Sequence, residues 1–278
     1  MENQNDIFVK VKFLYPSLTK TEKKIAAYIT DHTEETCNSS LEEFAASMQC
    51  SDASVLRFCR KLNQNGFVEL KQSLLYKIPS KEAVYEITKQ DSGREIFEKI
   101  VTNYKQSLDD TLALCDDNFE KAMEAFKEAD CIAFFGVGDA WPVCEYAQFK
   151  MQRVGVKSYA YSDLAMSLAT ASMLGKRDLA IGISFSGETK LVIDALRVAR
   201  HNGAKTICIT HFDKCRLTKY ADYKIFTATQ DYTVGNDIIA RRTAEFAIVD
   251  AFCSGRIISD KQYDEAAKKS LNAIMENK

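Results

Sequence analysis

Three hydroxyls, those of Ser184, Ser186 and Thr189, fall within the six-residue run Ser184-Phe185-Ser186-Gly187-Glu188-Thr189. Each can donate to a phosphate oxygen, and Gly187 removes a Cβ that would hold the backbone away from a ligand. The apolar stretch from Asp178 to Ile183 before the run reads as a buried strand. A helix is predicted to start at about Glu188 and continue through Leu191-Val192-Ile193 and Ala195-Leu196. The crevice between a strand's C-terminal end and a helix N-terminus is where α/β folds bind anions. Unpaired N–H groups point outward there, and the helix dipole favours negative charge. The plain alternative is a Ser/Thr-rich cap that only ends a strand and starts a helix.

A second group of chemically capable residues lies near the N-terminus. Ser51-Asp52-Ala53-Ser54 supplies a helix start, after which Val55, Phe58, Cys59 and Leu62 recur at helical spacing and should face inward. Ser54, Arg57 and Lys61 then share the outer face, with Arg60 beside them. Ser40-Leu41-Glu42-Glu43 is a capping box that opens a preceding helix bearing Leu41, Phe44, Ala45 and Met48. With Gln49-Cys50-Ser51 between them, the two helices have helix-turn-helix proportions, and Ala45 is small enough for close packing. Residues 53 to 77 carry five Lys or Arg against one Glu, whereas the first 52 hold five Lys and nine Asp or Glu. Positive charge is thus concentrated where a helix reading a major groove needs it, with Ser51, Ser54, Arg57, Arg60 and Lys61 as the DNA-contacting candidates. A solvated basic face on a packing helix is the competing reading.

Bulk properties narrow the classes. The chain has 278 residues, 46% of them apolar and 27% charged, as in an ordinary globular protein. No uncharged apolar run approaches the roughly 18–20 residues of a membrane span, and MENQNDIFVK lacks the order of a secretory signal. The nine cysteines include no C-x-x-C pair, which fits a reduced, cytoplasmic setting. The net charge of −2 argues against a globally basic nucleic-acid binder and leaves room for a local basic face. His32, His201 and His211 are scattered and no Cys/His cluster has zinc spacing, so no metal, cofactor or nucleophilic centre is expected.

The elements that must position these groups divide the chain. Residues 1–79 read as a helical head, with a capping box at Thr19-Lys20-Thr21-Glu22. Residues 80–119 read as a helical linker, 120–262 as an α/β body, and 263–278 as a C-terminal helix. In the body, strand-length apolar runs (131–135, 156–161, 179–183, 206–210, 223–227) alternate with amphipathic helices. That rhythm predicts parallel βαβ units. The expected fold is an all-α helix-turn-helix head joined to a doubly wound, mostly parallel five-stranded body of flavodoxin-like type.

These pieces resemble a known family. Thr21-Glu22-Lys23-Lys24-Ile25-Ala26, Ser40-Leu41-Glu42-Glu43-Phe44-Ala45, the stretch Ser54 to Leu62 and Gly66-Phe67-Val68-Glu69-Leu70-Lys71 are similar to the RpiR/MurR family of bacterial transcriptional regulators. Gly136-Val137-Gly138, the Ser-x-Ser-Gly-x-Thr core at Ser184 and the stretch Gly203 to Thr210 resemble a sugar isomerase (SIS) domain. The resemblance implies a regulator, expected as a repressor, that binds double-stranded operator DNA, senses a phosphorylated sugar and self-associates as a dimer or tetramer. It implies an effector site of Gly138, Asp139, Ser184, Phe185, Ser186, Gly187, Glu188 and Thr189. One departure stands out: such sites usually carry Ser two residues after the second glycine of the first loop, and here that residue is Ala140, with Asp139 adding a negative charge. Arg216 likewise stands where the family often has Ser-Pro before Leu217.

Three rivals remain. A dinucleotide enzyme would use Gly136-x-Gly138 with Asp163, but the third glycine position holds Trp141. A sugar-phosphate isomerase of the SIS type would need a base, for which Glu245 or His211 is placed. A scaffold that only oligomerises would need neither.

Overall fold

The computed structural model describes residues 7–75, 87–211, 213–228, 233–234, 237–238 and 240–276. It forms two compact units: the residues up to Asp91 with Leu112–Leu114, and Ser92–Thr111 with the chain from Cys115 on.

The first unit is helical: α1 (Ile7–Leu14), α2 (Lys20–Asp31), α3 (Thr33–Asn38), α4 (Leu41–Met48), α5 (Asp52–Lys61) and α6 (Phe67–Leu75). Both expected capping boxes form, Thr19 with Glu22 and Ser40 with Glu43, so each helix start satisfies orphan N–H groups from side chains. Gln49 adopts a left-handed conformation (φ 52°) that ends α4, with its N–H and that of Cys50 returned to the Ala45 carbonyl. This turn brings Ala45 into one core with Val55, Phe58, Cys59 and Leu62. The predicted end of the helical head, at residue 79, lies outside the described residues.

The second unit opens with α7 (Gly93–Ala113) and α8 (Asp117–Glu128). Five parallel strands follow, β1 (Cys131–Phe135), β2 (Lys157–Tyr161), β3 (Leu179–Ile183), β4 (Lys205–Thr210) and β5 (Tyr223–Phe226), in the order β2-β1-β3-β4-β5. Between them lie α9 (Trp141–Arg153), α10 (Leu164–Met173) and α11 (Lys190–His201). A short antiparallel pair, β6 (Thr233–Val234) and β7 (Asp237–Ile238), precedes α12 (Arg241–Ser259) and α13 (Lys261–Met275).

Alternation along the strands makes two cores. Ile132, Phe134, Leu179, Ile181 and Ile183 face α8, α9 and α12 on one side. Ala133, Phe135, Ala180 and Cys208 face α10 and α11 on the other. The expected strands and doubly wound order are present. The order reverses between β1 and β3, and a sheet of this order binds its ligand outside the carboxyl ends of the strands at that reversal.

The segment read as a helical linker, residues 80–119, contains α7. α7 packs with the α/β unit and buries polar residues there: the hydroxyls of Ser107 and Thr111 both donate to the Ala228 carbonyl (2.9 and 3.3 Å).

Candidate functional site

The loops after β1 and β3, at the reversal, carry the expected effector residues. In the β3 loop the hydroxyls of Ser184 and Thr189 share a hydrogen bond of 2.9 Å. Ser184 Oγ also accepts from the Gly187 N–H (3.1 Å), and Ser186 Oγ accepts from the Glu188 N–H (3.2 Å). Ser184 is buried and Ser186 exposed, so the loop presents an inner and an outer hydroxyl. Thr189 occupies the N-cap position of α11 yet makes no side-chain capping bond. The first turn of that helix therefore has no donor taken by its own cap residue.

Two expectations about this loop need correction. The helix starts at Lys190, not near Glu188, because the Thr189 hydroxyl is turned to Ser184 and the chain becomes helical only afterwards. Glu188 instead accepts from the Arg216 N–H (2.8 Å), tying the loop to the segment after β4. Gly187 has φ +65°, and a Cβ there would collide with Cys215. Its lack of a side chain is required by this protein neighbour.

Phe185 stacks on His211 (centroids 4.6 Å apart, 12° between planes), and its carbonyl accepts from the His211 N–H (3.1 Å). His211 Nδ1 lies 2.9 Å from the Thr227 carbonyl. This histidine braces the loop through its ring and its backbone. Asp163, the residue a dinucleotide site would use, caps α10 through the Met166 N–H (2.9 Å). Trp141 opens α9 and packs against the core.

In the β1 loop, Gly138 has φ +61°, and Ala140 is buried in the core beside α9. A methyl group packs where the family resemblance expects a hydroxyl. Asp139 points to residues that sequence reasoning passed over: its Oδ2 lies 3.1 Å from Arg241 Nη1 and 3.6 Å from Arg242 Nε. The Arg241 guanidinium stands 4.8 Å from the centre of the Phe185 ring, which links the two strand-end loops through α12. Arg242 also pairs with Glu245, which is fully buried and whose Oε1 has no hydrogen-bond partner among the described residues. Burial pushes the Glu245 carboxyl up to about 7, Arg242 pulls it down, and Asp139 adds to the rise.

In the helical unit, Arg57 and Arg60 are exposed on α5. Ser51 sits at the N-cap position without capping; its hydroxyl meets that of Ser54 (3.0 Å), which accepts from Arg57 Nη2 (3.1 Å). Lys61 does not stand with them as an open cation, since its Nζ pairs with Glu22 at 2.7 Å. Cys59 is buried, which pushes its thiol up to about 11 and leaves it a packing residue.

Fold and loops together define a protein with a helix-turn-helix unit and a doubly wound α/β unit. Residues 6–81 match the helix-turn-helix domain of the rpiR family, and residues 125–254 match the SIS domain. The chain is 30% identical, over 95% of its length and 94% of the relative's, to an uncharacterized HTH-type transcriptional regulator of Caldanaerobacter subterraneus subsp. tengcongensis. It is 25% identical to the HTH-type transcriptional regulator RpiR of Escherichia coli K12, over 84% of this chain and 80% of the relative. Its fold is similar to that of the Vibrio vulnificus NanR protein complexed with ManNAc-6P, with TM-score 0.61, 20% identity and coverage of 98% and 99%. The chain belongs to the RpiR family of HTH-type transcriptional regulators, with a C-terminal SIS domain. No helix among the described residues is long and apolar enough to cross a membrane.

Proposed function

We propose that this regulator, acting in the cytoplasm, binds a sugar phosphate at the β3 loop and uses it to change how α5 holds operator DNA. The observation that carries the reading is the Ser184–Thr189 hydroxyl pair, set against a helix start without a cap bond at the β1/β3 reversal. A phosphate there would take hydrogen bonds from Ser184, Ser186, Thr189 and the first turn of α11, at the positive end of the helix dipole. A structural neighbour's complex with ManNAc-6P supports the ligand class.

Arg57 and Arg60 would meet base edges or phosphates in the major groove, with Ser51 and Ser54 on the backbone. Lys61 acts mainly by anchoring α5 to α2. Self-association would set the half-site spacing. Phe97, Tyr104 and Leu108, exposed on α7, are apolar surface available for it. The ligand shifts operator affinity only by favouring one arrangement of the helical units over another. Titration of a labelled operator fragment, with and without sugar phosphate, tests the reading.

One observation favours a second reading, an aldose–ketose isomerase. Glu245 is a buried carboxyl raised to about 7 beside the proposed site, as a general base would be. Turnover of fructose 6-phosphate or arabinose 5-phosphate by the wild-type chain, abolished in Glu245→Gln, would establish it.

A further inference from the structure

The peptide group between Thr227 and Ala228 is held from both sides. Its oxygen, the Thr227 carbonyl, lies 2.9 Å from His211 Nδ1, and its N–H donates to Thr111 Oγ1 at 3.0 Å. A carbonyl cannot donate, so in this bond Nδ1 carries the ring proton. The next carbonyl, that of Ala228, accepts from Ser107 and Thr111 of α7. A peptide group is planar and turns as one piece. A change in how His211 meets its oxygen therefore turns the N–H that Thr111 holds. All of these residues except His211 are buried, so a bond broken here is not simply replaced by bulk water.

His211 is seated in turn on the β3 loop. Its ring stacks on Phe185, and its N–H donates to the Phe185 carbonyl, which also accepts from Thr210 Oγ1 at 3.2 Å. Phe185 stands between Ser184 and Ser186 in the chain, so a phosphate that draws those hydroxyls inward moves the ring and carbonyl between them. The bonded path from the β3 loop to α7 lies inside one compact unit.

α7 is suited to respond. It turns Asn103, Ser107, Asp110 and Thr111 inward and leaves Phe97, Tyr104, Leu108 and Leu112 exposed. Its inner face is thus held by hydrogen bonds, which depend on direction, more than by apolar burial, which does not. Asn103 Nδ2 on this face and Thr227 Oγ1 beside the gripped peptide are buried with no hydrogen-bond partner among the described residues. Each carries the cost of a bond left unmade, so an arrangement that satisfies them competes with the docked one. α7 begins at Gly93, just beyond Asp91, where the first stretch of the helical unit ends.

We propose that His211 is the positioning residue that passes occupancy of the β3 loop to α7 through the Thr227–Ala228 peptide, and that α7 hands it on to the helical unit it follows in the chain. The inference rests on the phosphate reading of the β3 loop and adds the route by which that site is heard.

The test uses the full chain with fructose 6-phosphate, arabinose 5-phosphate and ManNAc-6P as probes, and calorimetry to set a saturating concentration. In the wild type a bound probe should change hydrogen exchange of the α7 amides and shift operator affinity by at least about fivefold. The double variant Ser107→Ala, Thr111→Val should keep the probe affinity, which reports a folded body, and shrink the operator shift to below about twofold. His211→Phe keeps a ring against Phe185 and loses the bond to the Thr227 carbonyl; at saturation it should lose the shift and the exchange change. His211→Asn keeps a side-chain N–H near the place of Nδ1 and loses the stack, and should retain part of both. A histidine that only packs would reverse that order, with Phe harmless and Asn damaging. That reversed order, a full shift in the double variant, or a probe that binds without changing α7 exchange would overturn the relay and leave the phosphate site standing. Failure of all three probes to bind, in a chain that still holds its operator, would overturn both.

Discussion

The hydroxyl of Thr189 lies 2.9 Å from that of Ser184 and makes no capping bond to α11. A threonine at an N-cap ordinarily satisfies one of the first-turn N–H groups, so its diversion leaves that turn able to receive an outside acceptor. Thr189→Asp should supply both the cap and a resident anion. The expected outcome is a stability gain of about 0.5–1 kcal/mol in thermal denaturation together with loss of sugar-phosphate binding by calorimetry. A gain in stability with binding retained would place the ligand elsewhere.

Arg57 is exposed on α5 and donates to the Ser54 hydroxyl. Arg57→Ala should weaken operator binding by about 1–3 kcal/mol in a gel-shift or anisotropy titration, and leave ligand affinity at the wild-type value. Wild-type operator affinity in the variant would remove α5 from the reading role.

Lys61 and Glu22 behave as a structural pair joining α5 to α2. Glu22 completes the capping box at Thr19 and accepts from Lys61, with side-chain exposures of 12% and 39%. Burial alone would raise the Glu22 carboxyl, but the hydrogen bonds from Lys61 and Thr19 outweigh it and hold the group below its ordinary value of 4.5. A depressed carboxyl contributes stability above its unfolded value and loses it as pH falls through the folded one. Acid denaturation of the head, followed by circular dichroism below about pH 4.5, should therefore be flattened by Glu22→Gln. Lys61→Ala should cost no more than about 1 kcal/mol of stability, since the lysine end is partly solvated.

Glu245 carries the opposite sign. Its carboxyl is raised from 4.5 to about 7 by burial, so the protonated form is the one the fold prefers. Stability linked to it is complete below pH 4.5 and is lost as pH rises through about 7, with a size on the order of 3 kcal/mol. The melting temperature of the wild type should fall between pH 5 and pH 8. Glu245→Gln should show a weaker dependence over the same range, and an identical slope in both would rule out Glu245 as its source.

How much of this was legible beforehand follows from the physics of each element. The five strands could be read because a parallel sheet covered on both faces needs continuous apolar runs, such as Leu179–Ile183. The capping boxes at Thr19 and Ser40 were equally plain, since a fixed spacing of Ser/Thr and Glu carries the mechanism. The packing of α7 carries little apolar signal, because the residues it buries are polar: Asn103, Ser107, Asp110 and Thr111. α11 starts two residues after the predicted position because Thr189 takes the N-cap place, and helix ends are the least legible part of a spacing pattern. Arg241 and Arg242 escaped notice because they meet Asp139 across about a hundred residues of chain. The signal available was the odd placement of Asp139 beside an expected anion site, with Arg242 and Glu245 three residues apart on one helix.

The central claim is that the β3 loop senses a sugar phosphate and passes that state to the DNA-binding helices. The most direct measurement is the affinity of the full chain for an operator fragment selected from genomic DNA, with and without saturating sugar phosphate, in the wild type and in Ser186→Ala. The account predicts a shift of at least about fivefold in the wild type and a markedly smaller one in the variant, with equal affinities when no ligand is added. An operator affinity that ignores the ligand in the wild type, or that shifts equally in both proteins, would contradict it.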